Sequence, residues 1–177
     1  MKIALLGCGS NLQRRVAVEG RGGWDRSELT TVDLEGTHNP DVQCDLNYVP
    51  WAWAEDDEYD EVHAYEVLEH LGLQGHYQSF FETFFEIWRI LKPGGYLAAT
   101  VPRWDSLWAW GDPGHTRIIN RGTLVFLDQT EYEKQVGKTA MSDFRSTWKG
   151  DFNLVYERDF GDNFVFILQA VKPPRLR

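Results

Sequence analysis

Four short apolar runs, each closed by a glycine or a carboxylate, decide what this chain can fold into. Lys2–Leu6 stops at Gly7, Leu29–Leu34 carries Asp33 near its end, Val42–Leu46 carries Asp45, and Glu61–Tyr65 stops at Glu66. A fifth run, Tyr96–Val101, follows Pro93-Gly94-Gly95. Runs this short with helical stretches between them read as buried strands of a parallel sheet. Asn11–Glu19 reads as a short helix after the first strand. His76–Leu91 is the clearest helix, because Phe80, Phe84, Ile87, Trp88 and Leu91 recur at helical spacing and Lys92-Pro93-Gly94-Gly95 closes it. Another helix is expected around Gly122–Val136. Phe152–Asp159 and Phe164–Val171 flank Gly161-Asp162-Asn163, the pattern of a hairpin. Strands alternating with helices and then a hairpin imply an α/β fold, a mostly parallel sheet with one antiparallel strand. No repeat or linker interrupts residues 1–177, so one domain is expected.

Charge and cysteine usage narrow the function. Lys and Arg total 18 against 27 Asp and Glu, for a net charge of -9, which opposes attraction to phosphate backbones. No stretch is apolar for long enough to span a membrane, and residues 1–9 are too short for a signal peptide. The two cysteines, Cys8 and Cys44, lack the spacing of a zinc site or a disulfide framework. A cytoplasmic location, a small-molecule substrate, and neither nucleic acid, membrane nor metal as partner are the expectations.

In an open parallel sheet, ligands bind at the C-terminal strand ends, near the point where strand order reverses. Gly7-Cys8-Gly9 lets the backbone come close to a ligand there. Asp33 can accept both hydroxyls of a ribose, since a carboxylate takes two hydrogen bonds side by side. Asp45 can accept from an exocyclic amine such as that of adenine. A dinucleotide fingerprint would need glycine where Leu12 stands, so a ligand with ribose and adenine but no pyrophosphate fits better.

With those residues in order, the chain resembles the class I S-adenosylmethionine-dependent methyltransferases. Gly7-Cys8-Gly9 is similar to their first motif, Asp33 with Leu34 to the ribose acid and its neighbour, and Asp45 with Leu46 to the adenine-contacting pair. YDEVHAYEVLEHL is similar to their fourth motif, which brings in Tyr65 and Glu66, and LKPGGYLAATVP to the helix end and strand that follow. The likeness covers residues 2–102 and departs from the family at Leu5, where an acid is usual, and at Asn11, where a third glycine is usual. SLWAWGDPGHTRIIN and MSDFR resemble small methyltransferase-like proteins of bacteria and phages. The resemblance implies a Rossmann-like seven-stranded sheet, S-adenosyl-L-methionine as cofactor, and methyl transfer by in-line displacement.

Such a transfer needs alignment and water exclusion more than a fixed triad. His115, in GDPGHTR beyond the fifth strand, is the candidate base, because imidazole accepts a proton near neutral pH. Trp104, Trp108 and Trp110 are expected to form the substrate side. Glu66 reads equally as a group at the methionine end and as helix-terminal charge, while Glu69 and His70 read as structural. Asp112 and Arg117 suit either substrate charge or a surface pair. The expected division is 1–102 for the cofactor, 103–150 for the substrate and 151–177 for the hairpin. The alternative function is a non-catalytic S-adenosylmethionine-binding or assembly protein.

Overall fold

The computed structural model describes residues 1–176. Its strands are β1 (Ile3–Leu6), β2 (Leu29–Asp33), β3 (Val42–Gln43), β4 (Tyr59–Tyr65), β5 (Leu91–Pro102), β6 (Phe152–Phe160) and β7 (Asn163–Ala170). They form one seven-stranded sheet in the order β3-β2-β1-β4-β5-β7-β6. The strands from β3 across to β5 pair in parallel, and β7 runs antiparallel to both β5 and β6. The expected α/β sheet with its antiparallel hairpin strand is therefore the observed one. From β1 the chain goes to β2 on one side, and later to β4 on the other. This is the reversal of strand order at which a crevice opens. Leu6 pairs with Ala64, so the loops after β1 and β4 leave the sheet side by side.

The helices are α1 (Tyr77–Ile90), α2 (Leu107–Gly111), α3 (Arg121–Leu124) and α4 (Gln129–Gln135). On α1 the Phe80, Phe84 and Ile87 stripe packs on the sheet face made by Leu6, Val62, Ala64, Leu97 and Ala99. The helix starts where His76 Nδ1 accepts from the Ser79 N–H, and it ends before Pro93, whose ring disfavours helix in the residue ahead of it. The helix expected at Gly122–Val136 is broken into α3, a 3-10 turn at Val125–Leu127 and α4, because Asn120 and Asp128 each cap a separate start. The third strand is shorter than Val42–Leu46, since Asp45 Oδ1 accepts from the Asn47 backbone and side chain and turns the chain.

The helix expected at Asn11–Glu19 does not form; the segment is irregular, with one bridge between Val18 and Arg21. Tertiary partners take the groups a helix would use. Glu61, His63 and Tyr65 alternate along β4, so all three point to the sheet face opposite α1, and all are buried. The Tyr65 hydroxyl accepts from the Arg15 and Val16 N–H groups, at 3.3 Å each, and donates to His63 Nδ1 at 2.5 Å. His63 Nε2 donates to Glu61 at 2.8 Å, and Glu61 pairs with Arg14 and Arg21, both at 2.8 Å. Trp24 closes the layer, edge-on to His63 and donating its indole N–H to the Leu12 carbonyl. Burial works to raise the Glu61 pKa, but His63 and the two guanidinium charges outweigh it and hold it below the ordinary range. Burial likewise lowers the His63 pKa and keeps the ring neutral. Taking one partner from such a buried set leaves the others uncompensated. Glu61→Ala should cost about 3–5 kcal/mol in denaturant unfolding, far more than the same change at exposed Glu55.

Candidate functional site

The glycine loop has two different glycines. Gly7 has a left-handed backbone (φ +58°), and a Cβ there would lie 2.5 Å from Val67 Cγ2. The close approach at Gly7 is therefore to the loop after β4. Gly9 is also left-handed (φ +51°), but a Cβ there would meet no atom of the described residues within 4 Å. The space over Gly9 is open to a ligand. Between them Cys8 is buried, and its thiol pKa is raised to about 11 by burial and then by Asp33, so it is no nucleophile.

Asp33, at the end of β2, ties the cradle together. One carboxylate oxygen accepts from the Gly9 N–H and the other from the Glu35 N–H, each at 2.8 Å. Each oxygen keeps a second lone pair, so acceptor capacity remains for hydroxyl groups. Leu34 beside it is exposed, whereas Leu46 is buried in the core. Asp45 is engaged in its own turn with Asn47. Tyr65 shares the strand end, but its hydroxyl belongs to the buried column under the sheet.

Beyond β4 the segment that carries Glu66, Glu69 and His70 holds only a 3-10 turn, at Leu68–His70. Glu66 is left-handed (φ +56°), with its N–H bonded to the Thr100 carbonyl. A non-glycine residue in that region is strained, a condition often stored at working sites. One of its carboxylate oxygens and both of those on Glu69 are buried without a hydrogen-bond partner among the described residues. Burial pushes the Glu69 pKa up to about 8, and nearby Glu66 adds to it.

His115 completes this cluster. The Glu69 carbonyl accepts from the Thr116 and Arg117 N–H groups, which clamps the 112–117 loop against the turn. His115 Nε2 lies 4.0 Å from Glu69 Oε1 and 3.8 Å from Asp112 Oδ2, and the His70 and His115 rings meet edge to face at 4.7 Å. Both rings have Nδ1 against a backbone carbonyl: Trp108 for His115 (2.8 Å) and Gly114 for His70 (2.9 Å). A carbonyl only accepts, so Nδ1 carries the hydrogen in both, and each Nε2 keeps a lone pair. Glu69 and His70, read from the sequence as structural, are thus brought together with His115. Their signal was the pair itself, three and four residues after Glu66, but only the fold carries His115 to them from a distant loop.

Arg117 is not a partner of Asp112. It is buried and donates to the carbonyls of Leu71, Leu73 and His76 and to the Ser79 hydroxyl, so it holds the loop rather than a substrate. Trp104, Trp108 and Trp110 are each more than half exposed, with Trp110 donating to the Trp104 carbonyl. Trp104 also borders a concavity of about 470 Å³ with Asn120, Arg121, Arg158 and Phe164.

A methyltransferase domain family matches residues 5–99. This chain belongs to that family. No curated protein matches this methyltransferase in sequence. Among solved structures it is similar to a complex between the Haloferax volcanii Trm112 methyltransferase activator and a methyltransferase. There the identity is 14% and the TM-score 0.59, over 96% of this chain and 82% of that one. A SAM-dependent methyltransferase from Archaeoglobus fulgidus follows at 15% and 0.55, over 95% and 85%. The N-methyltransferase NodS from Bradyrhizobium japonicum, with S-adenosyl-L-homocysteine, is at 14% and 0.54, over 96% and 78%. At such identities the likeness is one of fold. The methyltransferase is of class I, and the methyl donor of that class is S-adenosyl-L-methionine. The open space over Gly9 and the spare acceptors of Asp33 suit such a ligand. No helix among the described residues is long and apolar enough to cross a membrane.

The two glycines should respond differently to substitution. Gly7→Ala puts a methyl group into Val67 at a left-handed position and should destabilise by about 2–4 kcal/mol, the sum of strain and overpacking. Adding Val67→Ala should recover the overpacking part, as thermal unfolding of the single and double variants will show.

Proposed function

We propose that this methyltransferase moves a methyl group from S-adenosyl-L-methionine to a small molecule, in the crevice between the Gly7–Gly9 loop and the Glu69–His70–His115 cluster. The observation that carries the reading is the adjacency of the two loops at the reversal of strand order, one open over glycine and the other bearing unused lone pairs. In this reading the backbone of Gly7, Cys8 and Gly9 takes the amino-acid end of the cofactor, with Tyr65 and Glu66 beside it. Asp33 accepts the ribose hydroxyls under Leu34, and Asp45 with Leu46 borders the adenine.

The bound cofactor supplies an already activated methyl group for in-line displacement. The chain's own residues orient the acceptor and exclude water. His115, its Nδ1–H fixed on the Trp108 carbonyl, takes the proton leaving the acceptor at Nε2, with the Asp112 carboxylate at 3.8 Å to stabilise the resulting cation. Residues 103–150 form the substrate side, where Trp104, Trp108 and Trp110 offer flat apolar surface, and residues 1–102 hold the cofactor. Residues 151–177 complete this single domain with the hairpin. The site takes a small molecule rather than a nucleic acid, in keeping with the net charge of -9. Catalysis is the cytoplasmic role we assign.

Titration calorimetry with S-adenosyl-L-homocysteine tests the cofactor half. Gly9→Val should abolish binding in a folded protein, by filling the open space. Asp33→Ala should weaken it by about 1–3 kcal/mol, the range for a lost charged acceptor; unchanged affinity in both would remove the assignment.

His115→Ala tests the other half. It should leave that affinity within twofold and lower turnover by about 10²–10⁴-fold, the scale of a lost proton-transfer group. Release of S-adenosyl-L-homocysteine over a panel of small polar acceptors is the readout. A wild-type protein that binds the cofactor but turns over none of them would favour a binding or assembly role.

A further inference from the structure

We propose that Glu69, His70 and His115 form a binding site for one divalent transition-metal ion beside the methyl-transfer crevice. One potential ligand atom from each lies within 4.8 Å of the other two. Ligands held at about 2.1 Å from a single ion sit roughly 3–4 Å apart, so side-chain rotations of about 1 Å close the set.

Three independent features favour a cation there. First, Glu69 is 2% exposed, and both of its carboxylate oxygens lack any hydrogen-bond partner among the described residues. A buried carboxylate with nothing to accept from is costly, and a cation is the partner that removes the cost. Second, each imidazole donates Nδ1–H to a backbone carbonyl and leaves Nε2 bare. Ligating histidines are oriented in this way, since the second hydrogen bond fixes tautomer and ring direction. Third, the site is held before any ion arrives. The Glu69 carbonyl accepts two backbone N–H bonds from the His115 loop, and Arg117 staples that loop to Leu71, Leu73 and His76.

Two imidazoles with one carboxylate suit manganese, iron or zinc better than magnesium, which prefers all-oxygen surroundings. Three protein ligands leave positions open for solvent or an acceptor oxygen. Glu66, three residues before Glu69 and with one buried unpartnered oxygen of its own, borders the set. The role of the ion rests on the proposed function. A coordinated hydroxyl group loses its proton more readily, and the proton passes to solvent while the oxygen attacks the methyl group. With the ion bound, His115 serves as its ligand, and the base role belongs to the metal-free protein.

The experiment measures Mn²⁺ and Zn²⁺ binding to the full chain by calorimetry, together with the nitrogen couplings of bound Mn²⁺ by pulsed electron paramagnetic resonance. One ion per chain is expected, with couplings from two histidine nitrogens. Glu69→Gln, His70→Ala and His115→Ala should each weaken it at least tenfold, whereas His38→Ala should not. S-adenosyl-L-homocysteine affinity, measured separately on the same proteins, should change little. Absence of binding to the wild-type chain, couplings from no nitrogen, or affinity that survives both Glu69→Gln and His115→Ala would overturn the proposal. Should a variant not fold, the couplings in the wild-type protein decide alone. Metal binding without S-adenosyl-L-homocysteine binding would leave the metal site standing and remove the methyl-transfer reading.

Discussion

The structure depends on a column of polar side chains buried under its own sheet. Along β4, Glu61, His63 and Tyr65 line the face that α1 does not cover. Arg14 and Arg21 form ion pairs with Glu61, and hydrogen bonds run on from Glu61 through His63 and the Tyr65 hydroxyl to two backbone N–H groups of the segment above. That segment has too little apolar surface to seal a sheet by packing alone. It is held by ion pairs and hydrogen bonds as well, with Leu12, Val16, Val18 and Trp24 filling around them. Because it begins at the glycine loop, the column beneath the sheet also sets where the cradle above it stands.

One strand therefore serves two purposes. The side chains of Glu61, His63 and Tyr65 on β4 anchor the cover, and its C-terminal end carries Glu66, Val67 and the Leu68–His70 turn to the side of the glycine loop. The bare Gly7 is where these meet, since only a residue without Cβ lets Val67 close against the β1 loop. The two loops are thus packed against each other.

The turn after β4 gathers unpartnered carboxylate oxygens and a left-handed glutamate in one place. Other buried carboxylates are paired, as Asp151 is with Arg175 and Glu86 with Arg89. Here both carboxylate oxygens of buried Glu69 lack a hydrogen-bond partner among the described residues, Glu66 is left-handed, and a nitrogen of His70 and of His115 lies within 4.8 Å of the Glu69 carboxylate. Unpaired polarity and strain survive where the surrounding contacts over-determine them, and such places are where chemistry is done.

Read alone, the sequence determined the strand ends. Gly7-Cys8-Gly9, Asp33, Asp45 and the run to Glu66 follow apolar stretches too short for anything but strands, so their place on one edge of a parallel sheet was legible. So was the hairpin, from its turn residues. The helix at Asn11–Glu19 misled, because local periodicity is a weak force against Tyr65 and Glu61, which take the backbone and arginines of that segment from across the sheet. The grouping of Glu69 and His70 with His115 lay beyond the sequence for a related reason. Spacing constrains neighbours within a few residues, whereas a loop from beyond β5 is brought to them only by backbone hydrogen bonds and the buried Arg117, which exist once the chain has folded.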